Sequence, residues 1–405
     1  MKVLAIPDLH AFPENYSRPS EDGIPSRLAD WRRTADALVE LAVRERVDLA
    51  VAPGDYFTNP KPPARAIIEV ATLFRRLEDA YIPVVGCNGN HDLAGPGQAG
   101  PVDIIAKLGN PQWGITTPWA ALVCPGVQVA VLPWAKPGSL LQNSESASDL
   151  VQRTSQALMD IARGFAAQLD PNRPAILIGH WPVAGCVLSS GQSLAGGEPS
   201  LPLHELQALP FRLIVMGHIH RPQFWQHLSG SIVLHTGAFQ RNDFGEEHDK
   251  RGAYIVDIET GVVEWHDLPA RRFYTFCLDD DTDVRAWLEG VIGTGDDFAA
   301  ARDAICRVTY RCTDELHRQV DQAALIRALE EAGAHQVAGV YPEIIKADRA
   351  RASELTEQTL PLEALDAWLA MRTDLSAELR SEVRQAAESL MEEVTPDAAH
   401  ADRVA

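Results

Sequence analysis

A chain of 405 residues, 46% hydrophobic and 23% charged, can bury a large core and is expected to divide into more than one domain. Its formal net charge of −20 excludes a protein that holds nucleic acid through bulk electrostatics alone, so a polyanionic substrate must meet local positive charge from arginines or metal ions. The absence of any run of about 18 apolar residues excludes a spanning helix, the opening "MKVLAIPDLH" reaches Asp8 and His10 too soon for a signal peptide, and six cysteines without a CxxC pair read as free thiols of a reducing cytoplasm.

In chain order, Lys2–Ile6 reads as a strand, and Leu28, Trp31, Ala35, Leu38 and Leu41 then form an apolar stripe at helical spacing. Val47–Ala52 reads as a strand, Pro63–Glu78 as a helix and Tyr81–Val85 as a strand. Val127–Leu132 follows, then a helix within Ala147–Gln168, then strands at Ala175–Ile178 and Leu213–Met216. Gly185–Pro202, rich in Gly, Ser and Pro, reads as a surface loop. Ser231–His235, Ala253–Ile258 and Val262–Trp265 complete the set, the last two joined by a turn at "ETG". Continuous apolar strands alternating with helices define an α/β fold whose sheets are covered on both faces.

From about Arg271 the character changes. "DDDTD" reads as a solvated acidic turn, "CRVTYRC" alternates, and "DQAALIRALEEAG" is a helix closed by Gly333. The expected division is 1–270, a small α+β domain over 271–350, and C-terminal helices over 351–405 ending in a polar tail. Within the last segment Leu375, Leu379, Val383, Ala386, Ala387, Leu390 and Val394 recur at spacings of three and four, the pattern of an amphipathic helix. Its stripe either packs on the preceding domain or waits for a partner helix.

The chemistry sits where the apolar strands end. "VLAIPDLH" delivers Asp8 and His10, "LAVAPGDYF" Asp55, "VVGCNGNHD" Asn90 and His91, "AILIGHW" His180, and "RLIVMGHIH" His218 and His220. Singly, a GD or GH after a strand is a turn, and a lone histidine is a satisfied core residue. Turn chemistry does not produce five such ends in one chain, and ligands in open α/β sheets gather at the carboxyl ends of strands. Alternation on an extended chain also points His218 and His220 to the same side. The ensemble reads as a metal site. Asp8, His10, Asp55, Asn90, His180, His218 and His220 are too many for one ion with an open position, but with a bridging carboxylate they serve two. Such a pair of ions suits in-line attack on phosphorus. Mixed imidazole and carboxylate ligands suit manganese, iron or zinc.

The order D-x-H, GD, GNHD, GH, GHxH resembles that of the calcineurin-like metallophosphoesterases. The resemblance implies a two-sheet sandwich flanked by helices, with a small α+β capping domain and C-terminal helices. It implies one ion on Asp8, His10, Asp55 and His220, and another on Asp55, Asn90, His180 and His218, with Asp55 bridging. It also implies a catalytic His91 near the scissile phosphate, protonating the leaving oxygen or stabilising the transition state.

Three stretches are most similar to the SbcD-type nuclease subunit of the SbcC–SbcD DNA repair complex: "GDYFTNPKPPARA", "GHIHRPQ" with "LHTGAFQRNDFGEEHDKRGAYIVDIE", and "TEQTLPLEALDAWL". That likeness implies a manganese-dependent DNA exonuclease and single-strand endonuclease, cytoplasmic, with no membrane contact. Its partners would be DNA and an SbcC-type coiled-coil ATPase gripped by the C-terminal helices, and it admits a homodimer. The chain departs from the pattern at "DLHAFPENYSRPSEDG", a different loop beside the ligands, and at Gly237-Ala238 in place of Gly-Ser. Arg221 and Arg241 are candidate substrate contacts, and either can equally be a solvated arginine. No P-loop segment is present, so ATP dependence must come from a partner. Two other readings stand beside the nuclease: a small-molecule phosphodiesterase or phosphatase on the same fold, favoured if 271–405 covers the site, and a non-catalytic scaffold for an ATPase.

Overall fold

The computed structural model describes residues 1–12, 15–19, 23–95, 98–123, 126–137, 146–189, 197–293, 295–345, 360–372 and 375–394. Parts of the loop after His10 and of the 185–202 segment, Cys124, the start of "TEQTLPLEALDAWL" and the polar tail lie outside the described residues.

The chain opens with β1 (Lys2–Ala5), α1 (Ser26–Arg44), β2 (Leu49–Ala52), α2 (Ala64–Asp79), β3 (Val84–Gly86) and α3 (Pro101–Leu108). It continues with β4 (Trp119–Val123), β5 (Val127–Leu132), α4 (Ala147–Ala166), β6 (Ala175–Gly179), α5 (Leu203–Ala208) and β7 (Leu213–Met216). Four strands follow: β8 (Gln223–Gln226), β9 (Ile232–His235), β10 (Gly252–Asp257) and β11 (Val262–Asp267). The remainder holds β12 (Phe273–Leu278), α6 (Asp281–Leu288), β13 (Ile305–Thr313), α7 (Asp314–His317), α8 (Gln322–Glu331), β14 (Gln336–Ile345), α9 (Pro361–Met371) and α10 (Ala377–Val394).

Two mixed sheets form the body. The first runs β11-β10-β1-β2-β3 and the second β4-β5-β6-β7-β9-β8. In the first, β1, β2 and β3 run parallel, the β3 edge is parallel, and antiparallel pairing begins at β10; in the second, β5, β6, β7 and β9 are parallel and antiparallel β4 and β8 close both edges. Register decides which side chains share a face: Val3 lies opposite Leu49 and Leu4 opposite Ala50. Leu4, Ala50 and Val84 pack against Trp31 and Leu38 of α1 and Phe74 of α2. Val3, Leu49 and Val256 meet Val129, Ile176 and Val215 of the second sheet. That sheet's other face, with Ala130, Leu177 and Ile214, takes Leu158 and Met159 of α4. Helices, sheet, sheet, helices is therefore the layering, and it explains why the central strands are apolar at every position.

A third sheet, β12-β13-β14, is wholly parallel and carries its own core with α6, α7 and α8. It meets the body at a small cluster of Phe244, Phe273 and Ile305, against which Tyr16 packs. Among the described residues no helix is long and apolar enough to cross a membrane. Cys87, Cys186, Cys306 and Cys312 are buried free thiols, and Cys277 is an exposed one.

Candidate metal centre

Loops leaving β1, β2, β3, β6 and β7 converge on one polar hollow between the two sheets. They are knitted together by main-chain hydrogen bonds: Asp8 N donates to the Gly237 carbonyl (3.0 Å), His10 N to that of Asp55 (2.9 Å), and Phe239 N to that of Asp8 (2.9 Å). His10, Asp55 and His218 sit in left-handed backbone, with φ of 38°, 48° and 79°. Each such residue costs about 1–3 kcal/mol and survives only where its surroundings dictate it. The expected strand alternation does not orient the GHIH pair. β7 ends at Met216, and the turn through His218 sends the two imidazoles to different partners.

Those partners fix each tautomer, because a carbonyl or carboxylate oxygen can only accept. His10 Nδ1 donates to the Phe57 carbonyl (3.2 Å) and His180 Nδ1 to that of Pro53 (2.8 Å). His220 Nδ1 donates to Glu246 (2.5 Å) and His218 Nε2 to Glu198 (3.0 Å). In the neutral form, every remaining ring nitrogen then presents a lone pair to another acceptor. His10 Nε2 lies 2.9 Å from His220 Nε2, and His218 Nδ1 lies 2.9 Å from Asn90 Oδ1. His180 Nε2 lies 3.1 Å from Asn90 Oδ1 and 3.3 Å from Asp55 Oδ2. Asp55 Oδ2 is also 3.7 Å from His10 Nε2, so this carboxylate stands between the two groups.

Asp8 completes the pattern. Its Oδ2 accepts from His218 N (2.7 Å), while Oδ1 is buried without a hydrogen-bond partner among the described residues. Burial, then the adjacent Asp55 carboxylate, pushes the Asp8 carboxyl well above its usual range. Burial pulls His10 down to about 3 and lowers His180 as well, so both rings are neutral. Buried acceptors facing acceptors, with an orphaned carboxylate oxygen among them, are what a cation repairs. Two groups of ligand atoms, Asp8–His10–His220 and Asp8–Asp55–His180, each draw together within 4.8 Å. The protein thus carries two clusters for divalent metals.

His91 stands apart from the buried ligands. It is exposed at the rim of a cleft of about 390 Å³ lined by His10, Asn15, Thr58, Asn59, His91, His220 and Asn242. Its main-chain N–H donates to Asp55 Oδ1 (2.9 Å) and its Nδ1 to the Thr58 carbonyl (3.0 Å), leaving Nε2 without a hydrogen-bond partner among the described residues.

Arg241 takes a different place from the expected substrate contact. Its guanidinium donates to the carbonyls of Glu247, Arg271 and Asp249 and so ties loops together. Burial lowers it to about 10. Arg221 keeps an open guanidinium, 4.0 Å from Asp249 Oδ1, and does not line the cleft.

Three acids outside the expected set organise the site. Glu246 is buried; burial alone would raise its carboxyl, but His220 and Arg251 outweigh that and hold it at about 2. Its second oxygen takes Arg251 Nη2 (2.6 Å) and Asn242 N (2.9 Å). Asp92 accepts from the main-chain N–H groups of Gly89, Tyr56 and Phe57, pinning the Asn90 loop to the Asp55 loop. Glu198 orients His218. Glu246 and Asp92 lie inside quoted motifs, whereas Glu198 is a lone acid in a Gly-rich loop with no signal of its own.

A layered α/β sandwich with paired metal clusters at its strand ends is the equipment of a metal-dependent phosphoester hydrolase. Residues 1–222 match the family described as Calcineurin-like phosphoesterase, and the chain belongs to it. It is 27% identical over 228 residues to the SbcD component of the SbcCD nuclease of Staphylococcus epidermidis, covering 54% of this chain and 58% of that one. It is 24% identical over 266 residues to the DNA double-strand break repair protein Mre11 of Saccharolobus solfataricus, covering 64% of this chain and 60% of that one. The match thus spans less than two thirds of either relative. The crystal structure of a dimetal phosphatase from Danio rerio overlays with a TM-score of 0.38 at 12% identity, covering 63% of this chain and 91% of that one.

Proposed function

We propose that the protein is a two-metal-dependent DNA nuclease of the SbcD type, cutting phosphodiester bonds as an exonuclease and single-strand endonuclease in DNA repair or recombination. The observation that carries this reading is the set of imidazole lone pairs and the orphaned Asp8 oxygen turned onto one another beside an open cleft. Asp8, His10, Asp55 and His220 would hold one ion, and Asp55, Asn90, His180 and His218 the other, with manganese the ion of choice. When bound, such a pair supplies a nucleophile at neutral pH and charge stabilisation at phosphorus. With Nδ1 keeping its proton on the Thr58 carbonyl, the doubly protonated His91 ring would hand its Nε2 proton to the leaving oxygen. Glu246 and Glu198 keep the His220 and His218 rings in the tautomers that ligation needs.

No described residue from 271 onward lines the cleft, which favours a substrate longer than a small phosphoester. The names of the two relatives support DNA as that substrate. In this reading 1–270 is the nuclease domain, 271–350 a cap and 351–405 the grip for an SbcC-type ATPase in the cytoplasm. The test offers linear duplex, single-stranded DNA and bis-p-nitrophenyl phosphate side by side, with manganese and with EDTA. Metal-dependent cleavage of all three is expected. Hydrolysis of the small diester with both DNAs left intact would move the assignment to a small-molecule phosphodiesterase, and inactivity on all three to a scaffold.

A further inference from the structure

The cleft beside His91 has a lining that the metal chemistry does not account for. Among the described residues no lysine or arginine contributes to it, and its remaining walls are amides and a hydroxyl. Thr58 and Asn59 are committed to their own turn: Asn59 Oδ1 accepts from Lys61 N (2.9 Å), Asn59 Nδ2 reaches Thr58 Oγ1 (3.3 Å), and the Thr58 carbonyl holds His91. Asn15 and Asn242 differ, since neither side-chain amide hydrogen-bonds any described residue. Each offers a donor and an acceptor side by side in one plane.

The segments that carry these two amides are held hard. Asn15 precedes Tyr16, whose backbone is left-handed at φ 59°. The Tyr16 ring lies edge-on to Phe244 (5.7 Å) and Phe273 (5.5 Å), and those two rings meet at 4.9 Å. Asn242 lies two residues before Phe244, and its main-chain N–H is tied to Glu246 (2.9 Å). Phe273 opens the third sheet. That sheet adds Arg307 over the Phe244 ring at 4.4 Å, and Thr275, whose N–H and hydroxyl both donate to Glu247 (2.8 and 2.5 Å). Three rings from three segments therefore hold the backbone beside both amides at one joint, with Asn15 exposed and Asn242 half-buried.

We propose that Asn15 and Asn242 are specificity-determining residues that read the edge of the nucleobase next to the scissile phosphodiester, their spacing set by the Tyr16–Phe244–Phe273 joint. A planar donor–acceptor pair matches a base edge in the way asparagine amides match adenine. An uncharged wall suits a base, while the phosphate charge falls to the metals and histidines. The cleft volume of about 390 Å³ lies within the range of small-ligand sites. This inference rests on the two-metal diesterase reading.

The experiment uses the full chain with manganese and three diesters that share one leaving group: bis-p-nitrophenyl phosphate and the p-nitrophenyl esters of thymidine and deoxyadenosine 5′-monophosphate. The measured quantity is the ratio of kcat/KM for each nucleoside ester to that for bis-p-nitrophenyl phosphate. Asn15→Ala and Asn242→Ala should each lower that ratio on the order of 10-fold, through KM, for at least one base. Phe273→Ala, which touches neither cleft nor metals, should lower it in the same way. Ratios unchanged in both asparagine variants overturn the proposal while leaving the diesterase reading intact. A wild-type protein inactive on all three esters overturns that reading and this inference with it.

Discussion

A Cβ added at Gly217 would lie 2.6 Å from both Asp8 Oδ1 and His180 Nδ1, and one at Gly54, where φ is +117°, would lie 2.7 Å from the same His180 nitrogen. Nothing there is the loose end of a flexible chain, so the atoms of the metal clusters themselves would have to give. Gly217→Ala is therefore expected to cost about 1–3 kcal/mol through overpacking and to lower bound manganese below two ions per chain, read by calorimetric titration and thermal melts. Asp8→Ala and His220→Ala remove ligand atoms from a cluster without touching the core, so they should lose metal and hydrolysis together while melting as folded proteins. His91→Ala should keep the metal stoichiometry and drop kcat on the order of 10²–10⁴-fold, the loss of a positioned proton donor. Elemental analysis of the three variants decides it, and an apo His91→Ala protein would make His91 a ligand instead. At this scale the sequence is generous with residues that announce themselves at strand ends. It is silent on Glu198, whose partner His218 is brought to it only by the folded loop. It leaves Arg241 open, because nothing in a sequence shows that three carbonyls will accept from its guanidinium.

Among the elements, α1 and the third sheet share a seam that titrates. His335, at the entry to β14, places Nε2 3.0 Å from Ser26 Oγ at the start of α1. Burial lowers its pKa, Arg271 lowers it further, and Asp30 opposes them without prevailing. Asp30 itself takes two hydrogen bonds from Arg271, at 2.5 and 2.7 Å, across the same seam. A histidine whose folded pKa is depressed binds its proton less readily than in the unfolded chain, where the value is about 6.5. The unfolded state then holds more protons as pH falls, so stability is intact above about 6.5 and declines below it until the folded group also titrates. Melts between pH 7.5 and 5 should show the wild type losing more stability than His335→Gln over that window. Parallel curves would mean that the seam does not sense pH through His335. The central strands and long helices of the body are legible because both faces of each strand are buried. The edge strands β4 and β8 are not: "WAALV" and "QFWQ" alternate half-buried and exposed positions over only 5 and 4 residues. In the third sheet the alternation of "CRVTYRC" is recovered as β13, where burial alternates from Arg307 onward. β14 is hidden by Gly339 and Pro342, which an edge strand tolerates.

Taken whole, the chain is acidic, with metal-ligand clusters beside an open cleft and a helical hairpin whose amphipathicity runs the wrong way for a free-standing fold. α9 and α10 lie against each other, but the inward contacts of α10 include charge: Arg384 binds Asp366 of α9 at 2.6 Å and pairs with Glu388. Its apolar stripe points out, with Leu379 43%, Val383 36% and Leu390 60% exposed. On α9, Leu360 at its N-cap is 63% exposed, Trp368 40% and Met371 49%. Among the described residues, nothing before α9 covers these side chains. Under the SbcD-type reading they are the surface that an SbcC-type coiled coil covers, with the burial of each large apolar side chain contributing roughly 1.5–3 kcal/mol. In that same reading the net charge of −20 fits, since so acidic a nuclease would gain most from a partner that brings its own affinity for DNA. Leu379→Glu combined with Leu390→Glu should leave melting behaviour and manganese-dependent diester hydrolysis at wild-type levels and abolish co-purification with a co-expressed SbcC-type ATPase. Deleting 371–405 should do the same. Retained co-purification would place the grip elsewhere, and a charge-substituted protein that unfolds or aggregates would show the stripe to be core of this chain after all.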